Sequence, residues 1–68
     1  MSEKIHPIGS LLLPNEYARA RGRVTSGIVL AVKDDLWGYN YEVFLIPQGF
    51  KKWLQKDVIR DLFTVVEP

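Results

Sequence analysis

Gly27-Ile28-Val29-Leu30-Ala31-Val32-Lys33 decides how this chain folds. It is the longest uninterrupted apolar run and is rich in β-branched residues; a glycine opens it and the Lys33-Asp34-Asp35 turn closes it. A run of this length, bounded in this way, reads as a buried strand rather than a helix. Arg23 to Lys33 is therefore expected to be the second and longest strand. Gly27 inside it marks a bulge or a sharp bend.

Working outward, Ile8-Gly9-Ser10-Leu11-Leu12-Leu13 reads as a first short strand, ended by Pro14. Pro14 to Gly22 is a long polar connection. Its Glu16 to Ala20 portion favours a helical turn, but five helix formers are too few for a helix that stands alone. Beyond the central run, Asp34 to Asn40 is a loop with an acidic start and a glycine. Tyr41 to Ile46 is a third strand of β-branched and aromatic residues. Pro47-Gln48-Gly49 is a tight turn that leads into Phe50 to Leu54, a fourth strand paired back as a hairpin. In Gln55 to Asp61, the spacing of Val58 and Leu62 and a capping Asp57 predict one 3₁₀ or α turn. Leu62 to Val66 is the terminal strand. Five short strands with regularly spaced turns define an all-β domain, a small barrel or sandwich.

The order of elements narrows this further. A long connection after strand one, hairpins between strands two, three and four, and one helical turn before strand five form the layout of SH3-like barrels. Ile8-Gly9-Ser10-Leu11-Leu12 resembles the hydrophobic-Gly-Asp-hydrophobic-Val opening of many such modules, with Ser10 where the pattern usually has Asp. Gly27 to Val32 resembles their G-I-V-x-x-V second strand, which is shared with KOW-type modules. Tyr41-Glu42-Val43, Lys52-Trp53-Leu54 and Asp57-Val58 resemble the Y-x-V and W-L-x-x-D-L close, with Gln55 where Pro often stands. Together these look like the small SH3-like reading frames of tailed phages and environmental viral sequence. The resemblance spans residues 8 to 66 and implies a binding or structural role without a fixed catalytic residue.

Length and composition agree with a single domain over residues 8–68, preceded by a tail over residues 1–7. The 68 residues include no cysteine, so neither a disulfide nor a Cys/His zinc site supports the fold. Apolar residues make up 47% of the chain and must supply its stability. A formal charge of +1 argues against a dedicated polyanion binder. The start of the chain has no apolar segment of signal-peptide type, and nothing approaches the roughly 18 apolar residues that cross a bilayer. These features predict a protein of the cytoplasm, or of the host cytoplasm or virion if phage-encoded, with no membrane role.

Aromatic residues crowd between positions 37 and 53. Alternation along strand three sets Tyr41, Val43 and Leu45 on one face and Glu42, Phe44 and Ile46 on the other. A barrel this small cannot bury both sets, and exposed apolar patches mark interfaces. Tyr17, Trp37, Tyr39, Phe44 and Trp53 are the candidate partner-binding residues, for a protein partner or for self-association. The bland alternative has Trp37 and Trp53 covering the ends of the barrel. Arg19, Arg21 and Arg23 alternate, so an extended chain projects them to one side. With Lys51 and Lys52 they form the alternative, a KOW-like nucleic-acid surface contacting phosphates. Asp34-Asp35 is a turn initiator rather than a cation site. His6 is the only histidine, and Ser10 and Ser26 have no base partner. No catalytic residue, metal, cofactor or small-molecule substrate is therefore expected. The reading is a non-enzymatic interaction or assembly module.

Overall fold

The central apolar run lies inside β2 (Ser26–Asp35), which is paired antiparallel on both sides, to β1 (Leu11–Pro14) and to β3 (Gly38–Ile46). In the computed structural model, which describes residues 5–36 and 38–68, β4 (Phe50–Gln55) pairs with β3 and β5 (Phe63–Val66) pairs with β1. All five antiparallel strands form one sheet in the order β4-β3-β2-β1-β5. No ladder joins β4 to β5 among the described residues, so the sheet has two edges and is not closed. Two helices occupy the non-hairpin connections: α1 (Glu16–Ala20) and α2 (Lys56–Leu62). No helix among the described residues is long and apolar enough to cross a membrane.

The inner face of the sheet carries the core. Leu12, Val29, Tyr41, Val43, Leu45 and Ile59 form one buried cluster, edged by Val32, Tyr39, Leu54, Phe63 and Val65. Alternation in β3 holds as read: Tyr41, Val43 and Leu45 are buried, while Phe44 and Ile46 face out. Ile59 comes from α2 and is fully buried. Each such side chain contributes about 1.5–3 kcal/mol by leaving water, so α2 is part of the core rather than a mere connector.

Gly27 plays a different part from the one expected. The bulge lies between Val29 and Ala31, leaving Leu30 as the extra residue, while Gly27 sits in regular register between Leu12 and Leu45. Gly27 is buried, and a Cβ built on it would run into Cγ1 of Val43. Glycine is needed here because β2 and β3 approach too closely for any side chain.

Other elements also depart from the reading. The loop over 34–40 is much shorter than expected, because Asp34 pairs with Tyr39 and Asp35 with Gly38. Asp35 and Asn40 are further joined by a side-chain hydrogen bond. These acids close a ladder rather than open a loop. Ile8 and Gly9 form a turn, and β1 begins only at Leu11. Ser10 is fully buried and donates its hydroxyl to the Pro7 carbonyl at 2.7 Å. An ionised Asp at this position would have no proton to donate and would be a buried charge, so the position suits Ser. His6 is also part of the fold: its backbone N–H donates to Tyr41 Oη at 3.2 Å, and the two rings lie 5.3 Å apart.

The predicted helical turn before the last strand is a full seven-residue helix, with Gln55 rather than Asp57 at its N-cap. The Glu16 to Ala20 turn is a helix because both its ends are capped. Asn15 Oδ1 accepts from the Ala18 N–H at 2.9 Å. At the other end, Arg23 N–H donates to Ala18 O and Gly22 N–H to Arg19 O, with Gly22 at φ +78°. That pair of bonds is a Schellman closure, which favours glycine at the left-handed position.

Gly27→Ala destabilises the protein by about 1–3 kcal/mol in urea unfolding, the usual cost of overpacking. In a Val43→Ala background the same substitution costs clearly less, because the clashing methyl is gone. Equal costs in the two backgrounds would show that Val43 is not the obstacle.

Candidate functional site

Register assigns every strand residue to one of two surfaces. One row crosses the outer face of the sheet through all five strands: Val66, Leu11, Ile28, Phe44 and Lys51, each opposite the next. Four of the five are apolar. Leu13, Ile46 and the bulged Leu30 add to this side, each more than a third exposed. Trp53 stands opposite Glu42 on the same face and is 48% exposed. The outer face is therefore an apolar surface on which Phe44 is flanked by two charged residues, Glu42 and Lys51.

The four described aromatic candidates, Tyr17, Tyr39, Phe44 and Trp53, do not share one surface. Phe44 and Trp53 share the outer face, so Trp53 does not cover an end of the sheet. Tyr39 packs against the core cluster. Tyr17 is exposed on α1, where the Arg21 guanidinium lies 4.6 Å from its ring centroid. That is an i, i+4 cation–π pair on a helix surface. Trp37 lies outside the described residues. Leu11, Ile28 and Val66 were missed as members of the outer surface, although the alternation that found Phe44 applies equally to their strands.

The basic candidates are also divided. Arg19 lies in α1 and Arg21 is its C-cap, so the extended zigzag that would align Arg19, Arg21 and Arg23 is not formed. Lys51 pairs with Phe44 on the outer face, and Lys52 pairs with Val43 on the inner side. Arg23 and Lys52 do come together. Both line a cavity of about 190 Å3 that opens on the inner side of the sheet. Its apolar wall comes from Leu45, Leu54, Val58, Leu62 and Phe63, contributed by β3, β4, α2 and β5. The cavity thus lies beside the seam where β4 and β5 fail to meet. No group of His, Cys, Asp and Glu that suits a metal ion is present among the described residues.

Asn15 holds the helices that border this cavity. Besides capping α1, its Nδ2 donates to the Asp61 carbonyl at 2.9 Å, and its backbone N–H donates to Leu62 O at 2.9 Å. One residue therefore fastens the start of α1 to the end of α2. No protein-family model, curated protein or solved structure matches this chain.

The two roles of Asn15 are separable. Asn15→Ala lowers stability by about 1–2 kcal/mol, the cost of a lost N-cap combined with the lost Asp61 bond. Asn15→Asp retains the cap acceptor and loses less. Amide hydrogen exchange at Ala18 reads the difference: it speeds up in Asn15→Ala and stays slow in Asn15→Asp. Identical exchange in both variants would remove the cap from the account.

Proposed function

We propose that this chain is a non-catalytic interaction module of SH3-like architecture that assembles by pairing with a second copy through the outer face of its sheet. The SH3-like reading is supported by a first strand lying between the second and the fifth, and by a helix immediately before the fifth. The assembly reading rests on one observation, the apolar row running from Val66 through Leu11 and Ile28 to Phe44. A contiguous apolar surface of this kind on a small protein marks an interface.

Charge selects the second copy as occupant. Phe44 is flanked by Glu42, two residues along β3, and by Lys51 directly opposite on β4. Neither is ion-paired among the described residues. A two-fold axis near Phe44 brings the carboxylate of one copy toward the ammonium of the other, the self-complementary arrangement of an isologous contact. A net charge of +1 imposes little repulsion between copies. The divided basic residues speak against the nucleic-acid alternative, because Lys51, Lys52 and the Tyr17-stacked Arg21 do not line one surface.

Sedimentation equilibrium tests this reading. The expected result is a mass that rises from monomer toward dimer with concentration. Phe44→Glu, at a partly exposed position, weakens association by about tenfold or more while leaving the unfolding midpoint close to wild type. A strict monomer at millimolar concentration, or association indifferent to Phe44→Glu, overturns it.

A further inference from the structure

We propose that the inner-face cavity binds the last residue of an extended peptide, with an apolar side chain in the cavity and the terminal carboxylate between Arg23 and Lys52. This site is separate from the outer face and does not depend on self-association.

Size sets the first limit. The cavity measures about 190 Å3. That exceeds the roughly 150 Å3 that holds a benzene, and is below the roughly 300 Å3 where pockets for larger ligands begin. The space suits one large apolar side chain and excludes a nucleotide. The Leu45, Leu54, Val58, Leu62 and Phe63 wall matches such a group.

Charge sets the second. Arg23 and Lys52 both line the cavity, and no acidic residue among the described residues does. Neither cation has an ion pair among the described residues. Two unneutralised cations beside an apolar wall call for an apolar group that carries its own anion. A carboxylate suits the guanidinium fork in particular, which can bind both of its oxygens. Thr25 adds a hydroxyl: its Oγ1 accepts from Gln48 Nε2 at 2.9 Å, which leaves its own proton for a ligand oxygen.

The strand edge supplies the third argument and points to a peptide rather than a free acid. Lys52 and Leu54 belong to β4, an edge strand with β3 on one side and no strand on the other among the described residues. An extended segment can satisfy that edge by main-chain hydrogen bonds while its terminal side chain enters the adjoining cavity. A small free acid uses the cavity alone and gains nothing from the edge.

The test is a titration of the ¹⁵N-labelled full chain, followed by amide chemical shifts. The probes are an alanine-based pentapeptide ending in leucine, as free acid and as C-terminal amide, and 3-phenylpropionate. The free-acid peptide is expected to shift the amides of Thr25, Leu45 and Leu54, and the amidated peptide to bind about tenfold more weakly. Arg23→Gln and Lys52→Gln, both at exposed positions, are expected to erase most of that difference and leave the rest of the spectrum unchanged. Binding should persist in Phe44→Glu, which separates this site from the outer face. Equal binding of acid and amide, or no shift at millimolar peptide, overturns the proposal. So does 3-phenylpropionate binding as tightly as the peptide, because the strand edge would then contribute nothing.

Discussion

The close approach of β2 to β3 at Gly27 and Val43 is the constraint on which the rest of the sheet depends. With no side chain at Gly27, Val43 can lie over the β2 backbone, and Leu12 and Leu45 close in from the neighbouring strands. Three residues further on, the bulge at Leu30 changes the phase of β2. Val29 lies opposite Val43 and Val32 opposite Tyr41, so two valines three apart both face inward. A regular strand puts residues two apart on one face, and a one-residue slip exchanges the faces. Without the bulge Ala31 would take the inner place and Val32 would turn outward. The glycine brings the strands close and the bulge keeps the larger side chain in the core.

An open sheet of this size cannot exclude water from its inner face unaided, and α2 supplies what is missing. Ile59 stands in the middle of the core cluster, and α2 runs directly from β4 into β5, linking the two free edges. α1 is held to this arrangement chiefly through Asn15. Its backbone and side chain reach the carbonyls of Leu62 and Asp61 while Oδ1 caps the helix. Isolated helices of five residues do not persist in water. Here two caps and the burial of Ala18 take the place of length.

Period-two features were legible in the sequence, and features that depend on contacts between distant segments were not. The order of strands, the central strand and the two faces of β3 all follow from local pattern and turn residues. The role of Gly27 was misread because a glycine in a strand signals either a bulge or a close approach, and only the position of Val43 decides between them. Leu30 carries no local mark of a bulge. The α1 caps depend on Gly22, the residue that ends the polar connection, and on Asn15, whose second partner is 46 residues away. His6 was read as part of a tail because its contact, Tyr41, is 35 residues distant. The outward position of the candidate Phe44 follows from alternation, whereas the meeting of Arg23 and Lys52 required the fold to bring two remote segments to one cavity.

The same alternation explains how so short a chain can present two chemically different surfaces. Lys51 and Lys52 are neighbours in sequence but face opposite sides of β4. Lys51 stands beside Phe44 and near Glu42, where a cation balances a carboxylate on an apolar field. Lys52 stands with Arg23 at a cavity that no carboxylate among the described residues lines, where two cations leave a net positive field. The proposed pairing with a second copy draws on the balanced surface, and the proposed carboxylate site on the positive cavity. The difference between the two follows from which side of one strand each lysine occupies. Any shift of β4 by one residue against β3 would turn Trp53 off the outer face and Leu54 out of the cavity wall, so both surfaces depend on the register that begins at the β2–β3 contact.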